Sequence, residues 1–255
     1  MPTDKQQISA ALCGFAKSSL YDAAQTLWNI LGYESQRQPE TYSFNYTEFK
    51  QSYNYNDALK DTKAKGEEWD KFYILFQVTD EELRNHFMPA EQSDIFGNKP
   101  DFKPLIRSYL FAALELTGDN YSRTALADIA RQINRCFAMP LIICFKYGKH
   151  LTIAVVNRRE NRRHNNRDVL EKVILIKDID HSTPHRAHIE ILFELSIEAL
   201  SAKYALNNFD DLHKAWAKTL DIQELNKRFY KELSNWYFWA VQNVEFPDGE
   251  ESNRE

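Results

Sequence analysis

The sequence predicts an α/β protein: a mixed sheet with flanking helices, followed by a helical C-terminal segment. The main evidence is the order of apolar runs between residues 107 and 180. A strand-like run, RSYLFAALEL, is followed by the amphipathic stretch SRTALADIARQINRCFA and then by PLIICFKY. This order predicts two parallel strands joined by a crossover helix. Two further strands that extend the sheet are predicted from HLTIAVVN, after a turn at Gly148 and Lys149, and from VLEKVILIKDI.

The residues before this unit predict two helices and another strand. Apolar residues recur at helical spacing over 20–31, after a serine pair and before Gly32, which predicts a helix with a serine N-cap and a glycine after its end. The polar, aromatic-rich stretch 33–71 predicts irregular structure over the core. The remaining elements are a buried strand, KFYILFQV (71–78), a capped helix, TDEELRNHF (79–87), and a loop rich in Pro, Gly and Asp (88–104).

Helical periodicity returns after residue 180 and continues almost to the end of the chain. The last helical stretch carries a continuous apolar stripe, formed by Ile222, Leu225, Phe229, Leu233, Trp236, Ala240 and Val244. Further aromatic residues widen this stripe, so we expect the helix to be buried on more than one side or to dock a partner domain. The predicted organisation is an α/β domain (1–180), a helical segment leading to a downstream domain (181–247) and an acidic linker (248–255).

Composition and charge narrow the possible classes of protein. The chain has 255 residues, 43% of them hydrophobic, which is enough for a large core. Its net charge of −5 provides no global attraction for nucleic acid, so such binding requires a local basic patch. Three cysteines without CxxC spacing favour buried reduced thiols, and no signal peptide or membrane span is recognisable. We therefore expect a cytoplasmic protein with no membrane partner.

Two carboxylates near the first central strand suggest metal-dependent chemistry. Asp101 precedes this strand and Glu115 lies at its end, before the helix and the next strand. Phosphodiester cleavage requires carboxylates that hold a divalent cation against the phosphate. The order resembles a PD-(D/E)xK nuclease core, which implies a restriction-endonuclease-like fold in which Asp101 and Glu115 bind Mg²⁺ and are catalytic. Asp94 is an alternative first carboxylate.

One residue departs from the nuclease pattern. Thr117 stands where that pattern has a lysine, and threonine cannot supply a positive charge. Lys103 or Arg131 are the candidates to replace it. The alternative interpretation is that Glu115 is an ordinary strand-end residue and that Asp101 serves a turn.

A second candidate site is the basic loop NRRENRRHNNR over 157–167. Arginine side chains match phosphate oxygens with two parallel hydrogen bonds, so this density of arginines predicts contact with a nucleic-acid backbone. The alternative is a solvated hairpin loop whose charges pair with the acidic surface. The candidate nucleic-acid-binding residues are Arg158, Arg159, Arg162, Arg163 and Arg167.

Other recognisable chemistry is sparse. His181, His185 and His188 lie close together at a predicted helix start, where helix capping and packing are the expected roles and a metal site is the alternative. The sequence contains no GxGxxG, Walker or GxSxG motif. We expect no cofactor in this segment, apart from Mg²⁺ if the nuclease is active.

Several stretches resemble one protein family. They are YLFAALELTGDNYSRTALADIARQIN, PLIICFKYGKHLTIAVVNRR, DVLEKVILIKDI, PHRAHIEILFELS and LHKAWAKTLDIQELNKRFYKELSNWYFWAVQNVEFP. Together they look like the N-terminal region of type IIG-like bacterial restriction-modification proteins, which carry an adenine-specific DNA methyltransferase domain. The resemblance runs from Tyr109 to Pro247. The S-adenosylmethionine site and the Asn-Pro-Pro-Tyr loop of those proteins lie further downstream, and the present sequence contains neither.

The resemblance implies an N-terminal module of a DNA restriction-modification protein, with DNA and a downstream methyltransferase domain as partners. We expect a degenerate nuclease-like domain that binds the DNA backbone through the arginine loop. Two alternatives remain. One is an active Mg²⁺-dependent endonuclease that uses Asp101 and Glu115. The other is a non-catalytic scaffold that docks the methyltransferase domain through residues 222–246.

Overall fold

The computed structural model describes residues 3–55, 57–87, 108–160, 168–220 and 222–244, and it does not describe the side chains of 158–160, 168–172, 222–229 and 232. The helices are α1 (Lys5–Gly14), α2 (Leu20–Ile30), α3 (Tyr46–Tyr53), α4 (Asp61–Ala64), α5 (Asp80–Phe87), α6 (Arg123–Arg135), α7 (Arg186–Glu194), α8 (Ile197–Lys203), α9 (Phe209–Thr219) and α10 (Ile222–Asn243), with a 3-10 turn at Gly66–Glu68. The strands are β1 (Trp69–Thr79), β2 (Ser108–Leu116), β3 (Leu141–Tyr147), β4 (His150–Glu160) and β5 (Asp168–Asp180).

The protein is an α/β protein with a five-stranded mixed sheet, flanking helices and C-terminal helices, as the sequence predicts at this level. The strands lie in the order β1-β2-β3-β4-β5. The central pair β2 and β3 is parallel and is connected through α6, whereas the other neighbouring pairs are antiparallel. The strand-helix-strand unit and the hairpin at Gly148 and Lys149 are therefore confirmed.

Helices cover both faces of the sheet because alternate residues of β2 point to opposite sides. Leu110, Ala112, Leu114 and Leu116 share one core cluster with apolar residues of α6. On the other face, the ring of Phe111 lies 4.9 Å from the ring of Trp28 in α2. Every residue of β2 is buried except Glu115, which is partly exposed.

Both edges of the sheet carry additional hydrogen bonds. On β1, Phe72 exchanges two backbone hydrogen bonds of 2.8 Å with Phe44, and the amide of Gln77 donates to the carbonyl of Arg37. On β5, the carbonyl of Leu175 accepts a hydrogen bond of 3.2 Å from Nη2 of Arg123. The irregular stretch predicted over 33–71 therefore covers one sheet edge and also contains α3 and α4.

The structure departs from the sequence-based expectations in two helical regions. Helix α1 precedes the helix predicted as the first, and Asp4 caps it by accepting a hydrogen bond from the amide of Gln6. The stretch after residue 184, over which the helical periodicity continues without an obvious stop, forms two helices, α7 and α8. The break lies at Ser196, whose hydroxyl accepts from the amide of Ala199 and so starts a new helix.

Two compact units make up the chain, Met1–Ala215 and Trp216–Glu255. The first contains the sheet and the helices up to α8, and the second contains α10. The division predicted at residues 180 and 247 stays a prediction.

Candidate functional site

Glu115 lies between two lysines at the end of the central strand pair. The register pairs Glu115 of β2 with Lys71 of β1 on one side and with Lys146 of β3 on the other. Residues paired in this way have their side chains on the same face of the sheet. Nζ of Lys146 lies 2.9 Å from Oε1 of Glu115, and the two side chains are 19% and 26% exposed. The predicted strand-end carboxylate is therefore held by a lysine of the neighbouring strand.

Next to Glu115 lies a lysine, the residue type that the nuclease pattern has at the position where this chain has Thr117. Lys146 is the only charged residue of β3 and occupies the matching position near the end of that strand. Thr117 itself is tied to the 3-10 turn, since its amide donates a hydrogen bond of 2.9 Å to the carbonyl of Glu68. Sequence reasoning missed Lys146, although a lone lysine at the end of an apolar run was a visible signal. Its pairing with Glu115 depends on the strand register.

The other candidate replacement for the lysine does not reach Glu115. Arg131 lies on α6, whose apolar residues share a core cluster with Leu114 and Leu116 on the opposite face of β2. Nη1 of Arg131 is 3.0 Å from a carboxylate oxygen of Asp128 on the same helix. This candidate role for Arg131 is therefore wrong, and Lys103 lies outside the described residues.

The carboxylates predicted to share a metal with Glu115 also lie outside the described residues. Both Asp94 and Asp101 fall within 88–107. Across the described ranges, no group of three or more His, Cys, Asp or Glu side chains is arranged to hold a metal ion. The described part of the candidate Mg²⁺ site thus supplies one carboxylate, Glu115, and that carboxylate is already paired with a lysine.

The hairpin of β4 and β5 extends past the rest of the central sheet. The pairing of β3 with β4 ends where Leu141 meets Val156. Beyond that point β4 continues to pair with β5, with Arg158 opposite Leu170 and Arg159 opposite Val169. We call the paired backbone of 157–160 and 168–172 the projecting ribbon. It places two predicted DNA-binding arginines past the first residue of β3, whereas Arg162, Arg163 and Arg167 lie outside the described residues.

The base of the same hairpin is fixed by a hydrogen-bonded group of side chains. The hydroxyls of Tyr147 and Thr152 are 2.6 Å apart, and the Tyr147 hydroxyl donates a hydrogen bond of 3.1 Å to Asp178. Asp178 lies at an irregularity in the pairing of β4 with β5, with φ of 61°. This left-handed conformation is tolerated by aspartate better than by most residues. The irregularity turns the Asp178 amide toward Thr152, whose hydroxyl accepts from it at 3.4 Å.

Burial and hydrogen bonding shift the proton affinities within this group. Burial raises the pKa of Tyr147 to about 12, so its hydroxyl remains a hydrogen-bond donor at neutral pH. Burial opposes ionisation of Asp178, but hydrogen bonds from Lys177 and Tyr147 outweigh it and lower the pKa of this carboxyl. Nζ of Lys177 lies 2.6 Å from Oδ1 of Asp178. The base of the hairpin therefore combines a neutral tyrosine with an ionised aspartate.

The predicted histidine group serves α7. Nδ1 of His185 accepts a hydrogen bond of 3.2 Å from the amide of Ala187, which makes His185 the N-cap of this helix. His188 lies on the first turns of α7, and burial lowers the pKa of its imidazole. His181 is buried next to the hairpin turn. Helix capping and packing are thus observed for these side chains.

A cavity of about 240 Å³ lies away from both candidate sites, between α5 and the residues that follow α2. The carboxylate of Glu82 lines it. This carboxylate accepts hydrogen bonds from the hydroxyl of Ser35 at 2.6 Å and from the amide and hydroxyl of Thr79 at 2.8 and 3.0 Å. Glu82 therefore caps α5 and fastens the segment after α2, and its oxygens are engaged in that structural role.

Comparison with protein-family models, with curated protein sequences and with solved structures finds no match for this chain. Among the described residues, no helix is both long enough and apolar enough to cross a membrane. The features of the chain that bear on its function are Glu115 with its lysine partner, the projecting ribbon and α10.

Proposed function

We propose that this chain is the DNA-binding N-terminal module of a bacterial restriction-modification protein, and that the projecting ribbon contacts the DNA backbone. The observation that carries the proposal is the extension of β4 and β5 past Val156, which brings Arg158 and Arg159 beyond β3. The four residues of β4 beyond Val156, three of them paired with β5, span about 13 Å, and a two-stranded ribbon is one of the elements that a DNA major groove admits. Arginine is well suited to phosphate oxygens.

The link to restriction-modification rests on the sequence resemblance and agrees with the coarse fold. The mixed sheet carries Glu115 at the end of the strand that precedes the crossover helix, which is the order found in restriction-endonuclease-like domains. The pattern lysine is replaced by Thr117. These features favour a nuclease-like domain that has degenerated and now serves DNA binding. A downstream methyltransferase domain is the proposed protein partner.

The salt dependence of DNA affinity tests the role of the ribbon. Each lost phosphate contact lowers the slope of log affinity against log salt by about 0.9. In the double variant Arg158→Gln and Arg159→Gln, the magnitude of this slope, measured on duplex DNA of random sequence, should therefore fall by about 1.8. Arg186→Gln is the matched control, because Arg186 is a highly exposed arginine on α7 and its side chain is 90% exposed. A complete lack of DNA binding by the unsubstituted chain at about 50 mM salt would overturn the proposal.

A specific observation also favours an active Mg²⁺-dependent endonuclease as a second candidate. Lys146 supplies the positive charge next to Glu115 that the pattern requires. Glu115 would hold Mg²⁺ together with Asp101, or with Asp94. When bound, this ion would polarise the scissile phosphate and lower the pKa of a bound water. Lys146 would orient the carboxylate and stabilise negative charge as it develops on the phosphate.

Plasmid nicking in the presence of Mg²⁺ or Mn²⁺ distinguishes the two candidates. An active nuclease should lose at least about a hundredfold in rate in both Glu115→Gln and Lys146→Met. Lys50→Met is the control, since Lys50 forms an ion pair of the same length, 2.9 Å, with Asp61 on α4. Nicking that survives in Glu115→Gln belongs to a contaminant and excludes the endonuclease.

The scaffold alternative is supported by the exposed aromatic residues of α10. Trp236, Phe238 and Trp239 are each more than half exposed. A protein domain that binds residues 222–246 would remove these rings from water. The test of this role is whether a separately produced methyltransferase domain binds the unsubstituted chain. The binding should be lost in the double variant Phe238→Ala and Trp239→Ala.

A further inference from the structure

Helix α10 carries a second apolar stripe with the spacing of a coiled coil. It is formed by Tyr230, Leu233, Tyr237, Ala240 and Val244. These residues recur every three or four positions, so they lie along one side of the helix. The four large side chains of the row are between 43% (Val244) and 64% (Tyr230) exposed, and Ala240 is partly exposed. The stripe thus presents a narrow row of large apolar side chains to water.

The composition of the same segment argues that this row is covered in the working protein. Between Leu233 and Val244 the sequence contains no charged residue. Helices that remain exposed usually carry charged or polar residues on their outer side, and contiguous exposed apolar patches mark interaction sites. The hydrophobic effect therefore favours burial of this row against another apolar surface.

We infer that α10 pairs with α10 of a second copy of this chain, in antiparallel orientation. In a coiled-coil register along the row, antiparallel pairing sets Tyr237 of one copy opposite Ala240 of the other, and Leu233 opposite Val244. A large side chain then meets a small one in the central layers, which interior packing favours. Parallel pairing would set Tyr237 against Tyr237 and leave Ala240 facing Ala240.

Charge selects the same orientation. The residues after Val244 contain five acids and one arginine, Glu245, Asp248, Glu250, Glu251, Arg254 and Glu255, for a net charge of −4. A parallel pair would bring two such acidic segments side by side. An antiparallel pair separates them by the helix length, about 33 Å, which exceeds the Debye length of about 8 Å at physiological salt. The opposite end of the helix, 222–232, has a net charge of +1, so antiparallel pairing brings sequence segments of opposite charge to the same end of the pair.

The pairing leaves another part of α10 available. Trp239 lies about 200° around the helix axis from Tyr237, on the side away from the row. Phe238 lies between these two directions. Both rings therefore remain available for a docking domain, and pairing of two copies does not depend on DNA binding or on nuclease activity.

Gel filtration coupled to light scattering measures the mass of the full chain in solution and so tests the pairing. The expected mass is twice the chain mass of 30.0 kDa at micromolar concentration. Tyr237→Asp places a charge in the middle of the row and should weaken association at least about tenfold. Trp239→Asp is the matched control, because it adds the same charge to the other side of the helix and should leave the dimer intact. Circular dichroism checks that both variants keep their helices, and Leu233→Asn provides a second, milder disruption.

Three outcomes would overturn the inference. They are a monomeric mass at every concentration, a dimer that persists unchanged in both Tyr237→Asp and Leu233→Asn, and equal dissociation by the Trp239→Asp control.

Disulfide trapping tests the orientation separately. In a background with Cys13→Ser and Cys136→Ser, one chain carries Leu233→Cys and another carries Val244→Cys; Cys144 is buried and stays. The antiparallel pair predicts a cross-link in the mixture of the two chains and none in either chain alone. Cross-links in each single-chain sample, with none between a Leu233→Cys chain and a Val244→Cys chain in the mixture, would show a parallel pair and overturn the antiparallel arrangement.

Discussion

The two halves of the β4–β5 hairpin have the same secondary structure but different surroundings. At the base of this hairpin, next to the Gly148 turn that joins β3 to β4, β4 is flanked by β3 and β5, and Thr152, Ile153 and Val155 are buried. In the projecting ribbon, β4 has passed the start of β3 and pairs with β5. The buried half is constrained by close packing, whereas the ribbon has left the central part of the sheet. Substitutions in the first half should therefore change stability, and those in the second should change binding.

The largest expected effect comes from shortening a core residue of the buried half. Ile153 is fully buried in the middle of β4. Ile153→Ala removes apolar atoms and leaves a cavity, so it should lower the free energy of unfolding by about 2–5 kcal/mol. Urea unfolding followed by tryptophan fluorescence measures this change. A loss below about 1 kcal/mol would mean that the hairpin base is less tightly packed than the structure implies.

A smaller loss is expected when the hydroxyl at the hairpin base is removed. Tyr147→Phe deletes the hydrogen bonds to Thr152 and Asp178 and leaves the buried Thr152 hydroxyl without this partner. The free energy of unfolding should fall by about 1–3 kcal/mol. Tyr55→Phe is the control, because Tyr55 is 83% exposed and its hydroxyl is available to water. Equal effects of the two substitutions would contradict a structural role for the Tyr147 hydroxyl.

The acid side of the stability profile should depend on Asp178. Its pKa is lowered in the folded chain from the ordinary value of 3.8, so the folded state binds fewer protons than the unfolded state in this range. This contribution to stability is present above pH 3.8 and is lost as the pH falls through the folded pKa. Asp178→Asn keeps the side-chain shape and removes the titration, so unfolding midpoints should vary less between about pH 5 and pH 2. An unchanged pH profile in this variant would contradict the prediction.

The smallest effect on stability is expected in the projecting ribbon. The double variant Arg158→Gln and Arg159→Gln should change the free energy of unfolding by no more than about 0.5 kcal/mol, as surface substitutions usually do. Thermal unfolding by circular dichroism measures this. If the double variant instead loses more than about 2 kcal/mol, the ribbon is part of the folded core and the contrast between the two halves fails.

Much of the sheet was predictable because its strands are short apolar runs with clear boundaries. Four runs between residues 107 and 180 and the run over 71–78 correspond to the five strands, and the turn at Gly148 uses a positive φ of 49° that glycine adopts readily. Helix α1 was missed because only Ile8, Ala11 and Leu12 form its buried face, and its remaining residues give a weak periodic signal. The break at Ser196 was recognisable as a potential N-cap inside a helical pattern.

The candidate site was less predictable than the fold for a physical reason. Glu115 was identified from its position at the end of an apolar strand, which is a local property of the sequence. Its pairing with Lys146 arises from the register of two parallel strands that are separated along the chain by α6. No local pattern encodes that register, because it depends on how segments that are far apart in the sequence pack together. For the same reason the sequence suggested Arg131, whose helix packs on the other face of β2.

The protected edges of the sheet have a consequence for how this protein avoids aggregation. An open strand edge is a template onto which another chain can add, and natural proteins block it with irregular segments and charged side chains. Here Phe44 and the carbonyl of Arg37 occupy positions along β1, while Arg123 donates a hydrogen bond to the carbonyl of Leu175 on β5. Growth by addition of strands is thereby discouraged at both ends of the sheet. The substitution Arg123→Ala removes the hydrogen bond to the Leu175 carbonyl and should make the protein more prone to form fibrillar aggregates on mild heating.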